Sequence, residues 1–179
     1  MIQSQHSMNR RGFTLIELII VMIIMGILAT VTSVSTVNMI RGLRLNHAVK
    51  TLVQDINYAR SMANVTGKYH YIDLEVNPVN RYRLYKVVNM VPSPAEDPAK
   101  PGQPFPFVNL SSDLQTAIYS ASVSKIYFTP AGRWYDGNMQ PLLSEIQIQL
   151  CGYPINGNPA GLKTIRLNPL TGLIKVDGS

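Results

Sequence analysis

The chain has 179 residues, 46% of them apolar, with 16 Lys+Arg against 10 Asp+Glu and a formal charge of +6. This composition excludes a disordered polymer, and the length leaves room for one helix and one domain of ordinary size. A single cysteine, Cys151, excludes an intramolecular disulfide, and His6, His47 and His70 stand too far apart to form a metal-ligand motif.

The first element is the run RRGFTLIELIIVMIIMGILATV, from Arg10 to Val31, where Arg10, Arg11 and Gly12 precede an apolar stretch. Between Phe13 and Val31, Glu17 is the only charged residue. At about 1.5 Å per residue the run spans roughly 30 Å as a helix, the thickness of a bilayer's hydrocarbon core. This predicts a single membrane span over residues 13–33, with the two arginines held on the cytoplasmic side. A cleaved secretory signal is the competing reading, but its apolar region would be shorter, lack a carboxylate and end at small residues. Glu17 is costly inside hydrocarbon, so its default reading is functional, with a cationic partner. Gly26 is either a weak point in the span or a simple packing position.

The pattern then changes face without stopping. Between residues 32 and 66 there is no proline, and Leu45, Val49, Leu52, Ile56, Ala59 and Ala63 recur at steps of four and three. That spacing predicts an amphipathic second half, residues 34–66, of one long helix running from Phe13 to about Asn64 and stopped near Gly67. A β-rich domain is expected over residues 67–179. Residues 69–76 and 81–88 flank Asn77-Pro78-Val79-Asn80 and read as a hairpin, with Tyr82 and Leu84 on one face and Arg81, Arg83 and Tyr85 on the other. Residues 89–111 hold six prolines between Pro92 and Pro106 and read as a long loop or extended segment. Its Phe105 and Phe107 either form a partner-binding tip or fold back on the core. Strands follow at 125–129 and 145–150, and a last hairpin joins 162–167 to 173–176 around Gly172. Six strands without intervening helices imply antiparallel pairing in one or two sheets. Cys151 reads as a buried, inert thiol.

The sequence RRGFTLIEL resembles the leader of type IV prepilins and type II secretion pseudopilins. The resemblance implies that a prepilin peptidase removes residues 1–12, cutting after Gly12, and methylates the new amine at Phe13. It also implies that Glu17 aligns a subunit against the N-terminus of its neighbour in a filament. On that cut Arg10 and Arg11 leave, and the remaining 14 Lys+Arg against 10 Asp+Glu give +4. The implied fold is α+β: a long N-terminal helix, transmembrane in its first half, packed on a C-terminal antiparallel β-sheet or β-sandwich. The implied location is the inner membrane, crossed once, with the globular domain in the periplasm. The usual helix-kinking proline of pilins is missing near Val34.

The second half narrows this. Ala59-Arg60-Ser61-x-Ala63, the segment Phe128-x-Pro130-x-Gly132, the strand with Ile148, Leu150 and Cys151, and the closing hairpin are together similar to GspH/FimT-type minor pilins. The function so implied is that of a minor pilin or pseudopilin that joins or primes a type II secretion pseudopilus or type IV pilus. Its partners would be the peptidase, other pilins of the same filament and the membrane. The alternative is a DNA-binding subunit at a pilus tip, with Arg81, Arg83, Arg133, Lys163 and Arg166 as candidate contacts and Tyr85, Trp134 and Tyr135 for stacking. Against it, Asp73, Glu75, Asp136 and Glu145 are interspersed, and Gly132-Arg133-Trp134 is followed by Tyr135 where DNA-binding relatives carry arginine. No G-x-S-x-G elbow or histidine motif points to catalysis, and no cofactor is expected.

Overall fold

A computed structural model of the chain describes residues 13–76, 78–155 and 158–178, side chains included except over 31–38 and 153–160. Helix α1 runs over Leu15–Thr66. It begins two residues after Phe13 because Thr14 stands at its N-cap, and it ends one residue before Gly67, whose φ of 66° ends the helical path. The chain divides into two compact units, Met1–Met39 and Ile40–Ser179.

In the first unit the described side chains of residues 13–30 are all exposed, apolar ones included. Among the described residues no helix is long and apolar enough to cross a membrane. Side chains of α1 are described over residues 15–30, sixteen residues from its start, and again over 39–66.

The second unit has its own core. Leu45, Ala48, Val49, Leu52, Ile56, Ala59 and Ala63 form one buried stripe on α1. The expected stripe is thus observed, with Ala48 added. Its large members each contribute about 2 kcal/mol through burial. They meet side chains from two antiparallel sheets in a single apolar cluster.

The first sheet is built from β1 (Tyr69–Glu75), β2 (Arg81–Val88), β3 (Val91–Pro94), β8 (Lys125–Phe128) and β9 (Trp134–Tyr135), in the order β3-β2-β1-β8-β9, with β6 (Val108–Asn109) pairing β2. The second is built from β7 (Thr116–Ala121), β10 (Ile146–Ile155), β11 (Asn158–Leu167) and β12 (Ile174–Gly178), in the order β12-β11-β10-β7. Period-two alternation sends Tyr82 and Leu84 of β2, and Ile146, Ile148 and Leu150 of β10, into the core as expected.

Two expectations are corrected. The segment 89–111 is not a long loop. It forms β3, a small ribbon of β4 (Glu96–Asp97) with β5 (Lys100–Pro104), then β6 and a one-turn helix α2 (Leu110–Asp113). Prolines fit here because β3 is an edge strand, where a missing N–H costs no ladder bond, so Pro92 and Pro94 lie opposite Val87 and Tyr85. Six strands also undercount the twelve observed among the described residues. The short β9 escapes any periodicity test, and β7 (TAIYSA) buries only alternate Thr116 and Ile118. Phe105 folds back and is buried in the core. Asn80 stitches the β1–β2 turn to α2 and β7: its carbonyl accepts from the Leu110 N–H at 3.0 Å and its side chain from the Ile118 N–H at 3.2 Å.

Candidate functional site

The N-terminal segment is built by local capping. The Glu17 backbone N–H points to the Thr14 hydroxyl oxygen at 3.4 Å, and the Leu18 N–H bonds the Thr14 carbonyl at 3.3 Å. Thr14 and Glu17 hold the N-cap and N3 positions of a capping box, and the carboxylate sits in the first turn, where the helix dipole favours an anion. The T-x-x-E spacing carries this signal. The observed bond uses the Glu17 backbone N–H, so Thr14 is the capping side chain and the Glu17 carboxylate contributes only its charge at the positive end of the helix. Phe13 precedes the helix and is 78% exposed. Gly12 lies outside the described residues.

Of the five candidate basic contacts, Arg81 and Arg83 are brought together. They stand two apart on β2, and both guanidinium groups face the Phe107 ring, at 4.0 and 4.6 Å from its centroid. Arg81 is also held by Glu75, through Nε at 2.8 Å and Nη2 at 3.2 Å, and Arg83 donates to the Phe105 carbonyl at 2.7 Å. Phe107 thus acts as an internal cation partner, a role not visible in the sequence. The other three stand elsewhere. Arg133 is exposed in the turn before β9, beside a hollow of about 400 Å³ formed with Trp134, Leu142, Leu143 and Leu170. Lys163 and Arg166 belong to β11 in the second sheet. Arg166 lies between Glu145 at 3.1 Å and Asp177 at 2.6 Å, which raise its pKa.

Beside Arg83 runs a tyrosine row. Tyr71 of β1 stacks on Tyr85 of β2 at 4.9 Å and on Tyr127 of β8 at 4.5 Å, with Lys125 5.7 Å from the Tyr71 ring. Burial, followed by the charges of its neighbours, pushes the Tyr71 phenol up to about 12. These rings cover one another's faces, so the row stabilises the sheet and leaves few open faces for a ligand. Cys151 is buried, and burial raises its thiol pKa, which keeps it an unreactive thiol. Among the described residues no three His, Cys, Asp or Glu side chains are grouped to hold a metal ion.

Residues 7–33 match the family model described as the prokaryotic N-terminal methylation motif. No curated protein matches the chain. Among solved structures, the type IV minor pilin FimU of Pseudomonas aeruginosa is similar at 14% identity and a TM-score of 0.48, over 74% of this chain and 87% of that one.

Proposed function

Because residues 7–33 carry the prokaryotic N-terminal methylation motif, we propose that this chain belongs to the type IV pilin-like superfamily as a minor pilin or pseudopilin, related to the GspH/FimT type. It is cut after Gly12, methylated on Phe13 and built into a type II secretion pseudopilus or a type IV pilus. The observation that carries the reading is the methylation motif itself, which spans Gly12, Phe13 and Glu17. The exposed apolar side chains along the first unit of α1 support it, since such a surface needs lipid or neighbouring helices to cover it. The division of labour follows: residues 13–33 anchor the chain in the inner membrane and then pack in the filament, while the β domain presents faces to adjacent subunits.

Within this reading Glu17 meets the methylated amine of Phe13 on a neighbouring subunit, an ion pair strengthened by the apolar surroundings. The test is recovery of the protein in sheared filament fractions from cells that carry the cognate assembly machine. The native chain is expected in that fraction, and its absence, with membrane levels unchanged, contradicts the proposal. DNA binding gains no support from the domain: Arg81 and Arg166 are already ion-paired, and the candidates are dispersed, with Arg81 and Arg83 in the first sheet, Lys163 and Arg166 in the second, and Arg133 in the turn before β9.

A further inference from the structure

We infer that the free edge of β12, with the groove beside it, is a docking site for an extended, acidic strand of a partner protein. β12 ends the second sheet and pairs only with β11, so its outer edge has no partner strand among the described residues. Along this edge the inward face is incompletely covered. Val176 lies opposite Ile165, which is fully buried, yet Val176 itself is 44% exposed. It forms one wall of a groove of about 300 Å³, closed on the other side by Val49 and Val53 of α1 and mainly apolar in lining.

Two ammonium groups stand on this groove, Lys50 of α1 and Lys163 of β11. Neither is ion-paired among the described residues, whereas Lys125, Arg81 and Arg166 all are. No acidic side chain lines the groove. The chemistry therefore specifies its occupant. A strand laid along β12 would satisfy the edge N–H and C=O groups, set alternate aliphatic side chains against Val176, Val49 and Val53, and bring carboxylates to Lys50 and Lys163. A basic or uniformly polar segment would leave the two ammonium groups facing like charge or the valines uncovered. Such docking involves the domain alone and does not depend on the filament reading.

The test uses the full chain in detergent micelles and fluorescence anisotropy with two labelled peptides, one alternating valine with glutamate and one alternating valine with lysine. The valine–glutamate peptide is expected to bind saturably and about tenfold more tightly, since two partly exposed charge contacts turn from attraction to repulsion. Lys50→Glu combined with Lys163→Glu should reverse the preference, and Lys50→Ala, on the exposed helix surface, should weaken the acidic peptide severalfold. N-methylation of alternate amides along one peptide edge should abolish binding, because that edge must donate to β12. Equal binding of both peptides, no saturation by either, undiminished binding of the N-methylated peptide, or a concentration-dependent dimer that excludes the peptide would each overturn the inference.

Discussion

The guanidinium of Arg60, on α1, donates a hydrogen bond at 3.0 Å to the carbonyl of Gly172, 112 residues later in the closing hairpin turn. The same guanidinium carbon lies 5.8 Å from the Trp134 ring, so one side chain ties the helix to β9 and to the β11–β12 connection. Gly172 has a φ of 70°, and a Cβ there would collide with the Arg60 guanidinium nitrogens. Gly172→Ala is expected to cost about 1–3 kcal/mol, from the left-handed backbone and the clash together. Arg60→Ala alone should cost about 1–2 kcal/mol. The double variant should fall short of the sum, because removing Arg60 vacates the space that the methyl needs. Urea denaturation of the four proteins of this cycle measures it, and strict additivity would refute the contact.

At the β2–β3 turn, Asn89 and Met90 have φ values of 51° and 64°, between the paired Val88 and Val91. A two-residue loop with both φ angles positive is a type I′ turn, which favours Asn-Gly. Met90 is 95% exposed, so it loses no packing on truncation. Met90→Gly should raise stability by about 1 kcal/mol, read as a higher denaturation midpoint. A lower midpoint would show that the methionine side chain itself stabilises the turn.

A pH dependence follows from Asp55, whose carboxylate accepts a hydrogen bond at 2.7 Å from the buried Tyr82 hydroxyl. Burial raises the Asp55 pKa, the Tyr82 bond lowers it in part, and Asp97 raises it further. A raised folded pKa means that the native state binds the proton more tightly than the unfolded chain does. The associated stability is complete below the unfolded carboxylate value and is lost as pH rises through the folded one. Asp55→Asn keeps an acceptor for Tyr82 without the charge. At pH 7 it should match or exceed the native protein by about 1 kcal/mol or less. That advantage should vanish as pH falls through the carboxylate range, in thermal melts run from pH 7 to pH 3. A variant that is less stable at pH 7 and equal at pH 3 would reverse the sign.

The amphipathic half of α1 was legible because six apolar residues at steps of three and four leave one face, and that face is the buried one. The β1–β2 and β11–β12 hairpins were legible from alternation and turn residues. The region 89–111 was not, since proline suppresses any central-strand pattern while remaining compatible with an edge such as β3. The basic residues showed the opposite failure: Arg81, Arg83 and Arg166 look available in one dimension, but Glu75, Phe107, Glu145 and Asp177 occupy them in three. Glu17 was read from its chemical oddity in an apolar run, and the Thr14 hydroxyl facing its backbone N–H came only with the structure.

That geometry sets a discriminating pair of substitutions. Glu17→Gln keeps at N3 a polar side chain able to reach the N-cap N–H but removes the charge, whereas Glu17→Ala removes both. If Glu17 acts by charge on a neighbouring amine, both variants insert in the membrane and both are depleted from filaments by about tenfold or more. Quantitative blots of membrane and filament fractions check this. Native-like incorporation of Glu17→Gln would reduce the role of Glu17 to capping.

The central claim is that the chain is matured at its N-terminus, and the most direct measurement is the intact mass of the protein isolated from membranes of cells that contain a prepilin peptidase. The expected species lacks residues 1–12, begins at Phe13 and carries one methyl group on its amine, and Gly12→Val should leave the leader in place. A chain that retains residues 1–12 in the presence of an active peptidase, or one cut at any other bond, would contradict the account.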